Sequence, residues 1–261
     1  MPFLNVGETR LYYEESGSGP ALVLLHGLGA SILDWEYQAP FFSRNFRCIT
    51  VDLRGFGRSE RGSGAMGPLR FAADTWDLLA QLQVRKFDLI GHSMGGAVAL
   101  QLALDQPQAV HKLVVSNSVP AFVPQTLAQH FQVWYRVLVM CLMGPAWMAR
   151  VGAQRMFPQP EQAELREKSI QRGSQSSASS YLQTLRAMTD WSVIDRLKEL
   201  QMPVLVLASE HDYFTRKDML RFSYALPHGR FRMFPDRHHC LPMEAPQEFN
   251  AVVQKFLRDG Q

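Results

Sequence analysis

The stretch from Phe87 to Gln106 constrains this chain more than any other part of it. An apolar run (Phe87, Leu89, Ile90) enters Gly91-His92-Ser93-Met94-Gly95. A small-residue segment containing Ala97, Ala99, Leu100, Leu102, Ala103 and Leu104 leaves it. The pattern predicts a strand, a tight turn and a helix, the setting that a Gly-x-Ser-x-Gly nucleophile needs. Gly91 and Gly95 remove side chains where strand and helix come closest. Ser93 then stands at the tip of the turn, its hydroxyl exposed and the positive end of a helix dipole beneath it.

The flanking chain repeats the strand–helix rhythm. Strands are expected at Arg10–Glu15, Ala21–Leu25, Arg47–Val51, Lys112–Ser116, Val204–Ala208 and Arg230–Phe234, and helices at Leu69–Leu82, Lys217–Ala225 and Pro246–Arg258. Ala21–Leu25 is apolar throughout, as suits a central strand covered on both faces. Alternation of this kind implies a mostly parallel twisted sheet with helices on both faces, an α/β fold. Between residues 119 and 201 the rhythm stops. Helical patterns at Thr126–Met143, Ala146–Met156, Gln162–Arg172 and Ser180–Met188 replace it, punctuated by prolines. Residues 1–118 and 202–261 therefore read as one core, with 119–201 as a helical cap inserted into it.

A serine hydroxyl needs a base within hydrogen-bond reach and an acid that orients the base. In open α/β sheets such groups gather beyond the carboxyl ends of strands. Ser209-Glu210-His211-Asp212 follows one expected strand and Pro235-Asp236-Arg237-His238-His239 follows the next. Asp212 is the preferred acid, with Glu210 and Asp236 as rivals. His239 is the preferred base, with His238 as its rival. The order Ser…Asp…His is one of the known triad orders. A metal site drawn from His211, Asp212, Asp236, His238 and His239 is disfavoured, because a serine turn gives a metal no role, and no cofactor is expected. For an oxyanion, the N–H groups of Met94 and of Leu28 in the glycine-rich loop His26-Gly27-Leu28-Gly29 are the candidate donors. His26 reads as a brace for that loop.

These motifs, together with Asp52-Leu53-Arg54-Gly55-Phe56-Gly57-Arg58-Ser59 and His239-Cys240-Leu241-Pro242-Met243-Glu244, resemble the α/β-hydrolase fold family, of the lipase and esterase type. The resemblance runs from about Leu11 to Leu257. It implies Ser93 as nucleophile, Asp212 as acid, His239 as base and Leu28 and Met94 at the oxyanion hole. Glu244, five positions after the base, places that base at His239, although His238 stands where the family usually has glycine. A serine at the turn disfavours epoxide opening and halide removal, which the family performs with aspartate there. The pattern is similar to small carboxylesterases and enol-lactone hydrolases, so cleavage of a carboxylic ester through an acyl-enzyme is expected. Lactone or carbon–carbon bond hydrolysis, or a non-catalytic receptor on the same fold, are the alternatives.

The cap supplies Phe122, Trp134, Tyr135, Met143 and Trp147 as candidate substrate contacts, and its apolar character favours a largely apolar small-molecule substrate. Arg136, Arg150 and Arg155 are available for a substrate carboxylate or simply for solvent. A formal net charge of +3, without blocks of like charge, leaves no footprint for nucleic acid. The longest apolar run, Val137–Met143, is too short to span a bilayer. Cys48, Cys141 and Cys240 form no metal or redox motif. Read as reduced thiols, and with no signal-peptide pattern at the start, they point to the cytoplasm.

Overall fold

The computed structural model describes residues 2–259. In chain order its elements are β1 (Phe3–Val6), β2 (Thr9–Ser16), β3 (Ala21–Leu25), α1 (Ala39–Phe42), β4 (Arg47–Val51), α2 (Pro68–Gln81), β5 (Phe87–His92), α3 (Met94–Asp105) and β6 (Val110–Ser116). There follow α4 (Leu127–Met156), α5 (Ala163–Gly173), α6 (Ala178–Thr189), β7 (Val204–His211), α7 (Arg216–Ala225), β8 (Gly229–His238), α8 (Leu241–Glu244) and α9 (Pro246–Arg258). The eight strands form one sheet in the order β1-β2-β4-β3-β5-β6-β7-β8. Six of them, β4 to β8 in that order, run parallel, and β2 and β1 close one edge antiparallel.

Side chains alternate across the sheet with the two-residue period of a strand. Val23, Leu25, Leu89, Val115 and Val206 enter the core beneath α2, α3 and α7. Leu22, Leu24, Ile90, Val114 and Leu207 enter the opposite core, beneath Phe42 of α1 and Phe249, Val253 and Phe256 of α9. The central strands are covered on both faces, which is why β3 and β5 are buried along their whole length. Strand β1, four residues at the sheet edge, carries too short a pattern to mark it in the sequence. Strands β7 and β8 run three and four residues beyond the expected Ala208 and Phe234.

Helices α4, α5 and α6 lie between β6 and β7. The two legs of this excursion are joined by a bridge between Ala121 and Ser192. Trp191, Val193, Leu197 and Leu200, the returning leg, pack into the core beneath the sheet. Helix α4 is long and apolar enough by composition to cross a membrane. However, Gly144 (φ 75°, ψ −175°) followed by Pro145 breaks it into two arms, each shorter than the roughly 20 residues that a span needs.

Candidate active site

The turn at Ser93 is imposed by backbone packing. A Cβ on Gly91 would lie 2.2 Å from the Gly95 carbonyl oxygen, and one on Gly95 would lie 2.1 Å from that of Leu25. With those side chains absent, β5 meets α3 directly and Ser93 takes φ 54°, ψ −121°, a left-handed value that a serine holds only where its surroundings enforce it. Its N–H donates to the Ser116 carbonyl at 2.9 Å. Ser93 precedes the first residue of α3, so the Met94 N–H is one of the helix's unpartnered donors.

The carboxyl ends of β7 and β8 bring the two other polar groups to this turn. His239, directly after β8, places Nε2 2.9 Å from Ser93 Oγ and Nδ1 2.6 Å from Asp212 Oδ1. Asp212, directly after β7, has a fully buried side chain. Its Oδ1 also accepts the Tyr213 N–H at 2.5 Å, and its Oδ2 accepts Asn117 Nδ2 at 2.7 Å. Burial pushes the Asp212 carboxyl up, but the charge and hydrogen bond of His239, with the Asn117 and Tyr213 donors, outweigh it and hold the group below the usual aspartate value. The carboxylate thus stays ionised beside the imidazole. His92, whose ring lies 5.2 Å from that of His239, is pushed down to about 3, first by burial and then by His239. It therefore adds no second positive charge.

Asn117 is a further member of the site that the sequence pattern does not mark. It sits just past β6 at φ 50° and is wholly buried. Its amide donates to Asp212 and to Ser209 Oγ, and its own carbonyl accepts from Ser116 Oγ. Nothing in Ser116-Asn117-Ser118 marks this role in sequence. The only available signal was position, since this loop lies at the end of the strand between those carrying Ser93 and Asp212.

The rival candidates lie apart. His238 is held by Glu244, through Nδ1 at 2.9 Å and its backbone N–H at 2.5 Å. Glu210, His211 and Asp236 turn outward together at the exposed surface. The five residues weighed as a metal site are therefore split between the interior and the surface. The loop after β3 is braced as expected: His26 Nδ1 faces the Gly27 carbonyl at 2.8 Å, and Nε2 accepts the Leu53 N–H at 3.0 Å. That loop packs tightly on the turn, a Cβ on Gly27 lying 3.3 Å from Ser93 Cβ. Among the described residues the Leu28 and Met94 N–H groups have no acceptor.

A cavity of about 220 Å³ opens over Ser93 and His239. Helix α4 lines it with Gln132, Tyr135, Arg136 and Met140 from its first arm and Met148, Ala149, Gly152 and Arg155 from its second, an i, i+3, i+4 spacing that defines one helix face. Of the five cap residues expected there, Tyr135 lines the cavity and four lie elsewhere. Trp134 stacks on Phe131 on the outer face, and Met143 and Trp147 are also exposed. Phe122 packs behind the cavity against Trp191 and Phe214. The physical reason lies in the first arm, which turns Gln132, Tyr135 and Arg136 toward the cavity and leaves Phe131, Trp134 and Leu138 outside; the second arm faces the cavity mainly with Met148, Ala149, Val151 and Gly152 and leaves Arg150 and Gln154 outside.

Residues 20–246 match the family model described as the alpha/beta hydrolase fold. A putative carbamate hydrolase of Rhizobium rhizogenes is 28% identical over 91% of this chain and 92% of its own length. The esterase of Thermogutta terrifontis superposes with a TM-score of 0.87 at 26% identity, covering 97% of this chain and 94% of that one. The enol-lactonase of Burkholderia xenovorans superposes with a TM-score of 0.91 at 21% identity, covering 99% and 100%. A fluoroacetate dehalogenase of a Burkholderia species is 32% identical over 51% of this chain and 47% of its own.

Proposed function

This chain belongs to the α/β-hydrolase fold family and is a hydrolase of small molecules; on that premise we propose that it cleaves carboxylic esters through an acyl-enzyme on Ser93. The observation that carries the reading is the single line of contacts from Ser93 Oγ through His239 to Asp212, at 2.9 and 2.6 Å. In the first step Ser93 Oγ bonds to the ester carbonyl carbon while its proton passes to His239 Nε2. The Leu28 and Met94 N–H groups receive the negative charge on the carbonyl oxygen, and each such donor is commonly worth about 3 kcal/mol. The carbon–oxygen bond then breaks, and His239 gives its proton to the departing alkoxide. Water repeats the sequence to release the acid. Asp212 keeps the imidazole in the required orientation and offsets its transient charge.

A halide-displacing role like that named for the Burkholderia dehalogenase is not supported by Ser93. Alkylation of a serine gives an ether, which the site has no means to hydrolyse, whereas an alkylated carboxylate is an ester. A carbamate, the substrate named for the Rhizobium relative, presents the same kind of carbonyl carbon and is the second reading. The test is labelling with a fluorophosphonate, located by peptide mapping, together with turnover of p-nitrophenyl butyrate. Label on Ser93 and an initial burst of nitrophenol are expected, both lost in Ser93→Ala. Absence of both from the unmodified protein would sink the reading.

A further inference from the structure

Two guanidinium groups face the cavity without a counter-charge. Arg136 and Arg155 stand nineteen positions apart on α4, which in a straight helix would separate them by about 28 Å. The break at Gly144 and Pro145 folds the arms toward each other, so that both approach one ring. The Arg136 and Arg155 guanidinium carbons lie 5.2 and 4.3 Å from the centre of Tyr213. Tyr213 follows Asp212 directly, and its ring meets that of His239 edge-on at 4.5 Å. One tyrosine ring therefore separates the cationic pair from the base.

The other cations nearby are paired. Arg172, which also lines the cavity, binds Asp34 and Glu36 at 3.5 and 3.0 Å, so the Asp34 carboxylate on the cavity wall is already engaged. Asp212 is engaged by His239 and Asn117. Among the described residues no carboxylate stands within ion-pairing distance of Arg136 or Arg155. The Tyr213 ring lies against both guanidinium groups, and Tyr181 takes one hydrogen bond from Arg136, which leaves N–H groups on each arginine for a ligand. Those groups match a carboxylate in planar, paired hydrogen bonds. The remaining wall, with Met140, Met148 and Ala149, is apolar.

We infer that the substrate carries a carboxylate a short chain away from its scissile carbonyl, and that Arg136 and Arg155 bind it. The substrate class is thus a half-ester of a short dicarboxylic acid, or an ester or lactone with an equivalent carboxylate. This rests on the serine-hydrolase reading for the reaction, though not for the binding of the anion. It revises the expectation of a largely apolar substrate: the cavity has an apolar wall and a cationic end.

The experiment compares kcat/KM for two anionic esters, monophenyl glutarate and 4-carboxyphenyl butyrate, with that for neutral phenyl butyrate. The unmodified protein should favour at least one anionic ester by about tenfold or more, as expected for charge-assisted hydrogen bonds. That ratio should fall by about tenfold in Arg136→Gln and in Arg155→Gln, with Arg155→Lys intermediate, since lysine keeps the charge but not the paired geometry. Should a variant fail to fold, inhibition of the unmodified protein by glutarate against that by uncharged glutaramide gives the same information. Hydrolysis without anionic preference, with glutarate no better than glutaramide, overturns the inference and leaves the serine reading standing. If no ester is turned over and no fluorophosphonate label appears, the serine reading fails instead. Calorimetric titration with glutarate and glutaramide then decides the arginine site, with discrimination supporting it and equal binding overturning it.

Discussion

Below the cavity, Gly91 and Gly95 bring backbone against backbone, and the side chain of Asp212 has every oxygen occupied. Above it, α4 leaves Leu127, Phe131, Trp134 and Leu142 exposed. The floor has one arrangement, because a single added methyl collides with backbone and a single lost donor leaves a buried charge unsatisfied. The roof is held by side chains: Arg172 on Asp34 and Glu36, Ser176 on the Gly29 carbonyl, Gln162 on Glu244, and two small apolar clusters around Tyr181 and Phe157. The difference suits the two tasks that the proposed reaction gives these regions. Positions that form and break bonds need rigid elements, whereas a surface that selects among substrates tolerates a looser attachment.

The largest effect should come from the floor. Ser93→Ala is expected to lower kcat for ester hydrolysis by about 10^4-fold or more, with melting temperature little changed. Comparable loss from any roof variant that still melts cooperatively would break the contrast. Next, Asp212→Asn should lower kcat/KM by about 10^3- to 10^4-fold through loss of imidazole orientation. A loss below tenfold would show that Asp212 is dispensable to the base.

The joint between floor and roof is open to a pH measurement. Burial raises the Asp34 carboxyl from 3.8 to about 6, despite the lowering effect of Arg172. A carboxyl raised in the folded state binds more protons there than in the unfolded chain. Stability therefore falls as pH climbs from about 4 to about 6 and levels off above, by at most on the order of 3 kcal/mol. Urea unfolding of the unmodified protein and of Asp34→Asn across this window should show that slope only in the former. Equal slopes would remove Asp34 from the account of how the roof is fastened.

Smaller effects sharpen the boundary. Asn117→Gly accepts the positive φ without strain and deletes only the amide, so it should reduce kcat/KM by about tenfold. Because Asn117 acts through Asp212, the loss should appear in kcat more than in KM. At the far end of the scale, Trp134→Ala should change stability by no more than about 0.5 kcal/mol and leave p-nitrophenyl butyrate turnover within about twofold. A large change in either would mean that the outer face of α4 bears on the cavity.

The same division explains what was legible in the sequence. Ser93, Asp212 and His239 each stand just beyond an apolar strand, and in a parallel sheet the strand ends converge without further instruction. Their meeting could be anticipated from local pattern alone. The roof obeyed no such rule. Hydrophobicity placed Trp134, Met143 and Trp147 inward, because apolar residues usually are, yet the inward face carries Gln132 and Arg136. The break at Gly144 and Pro145 was legible, but which face of each arm turns inward depends on where Tyr213 stands, and helical spacing does not encode that. Asn117 escaped notice for a related reason: its bond to Asp212 joins positions 95 residues apart.

The positive φ of Ser93 carries a consequence for how such a site changes over time. The turn is shaped by Gly91, Gly95 and the Ser116 carbonyl, whereas the serine hydroxyl is hydrogen-bonded to His239. The backbone thus fixes an address, and the side chain at that address is a separate choice. A thiol or a carboxylate placed at residue 93 would be delivered to the same point beside His239. Chemistry at this turn is consequently interchangeable by one codon, while the architecture that presents it must be inherited whole.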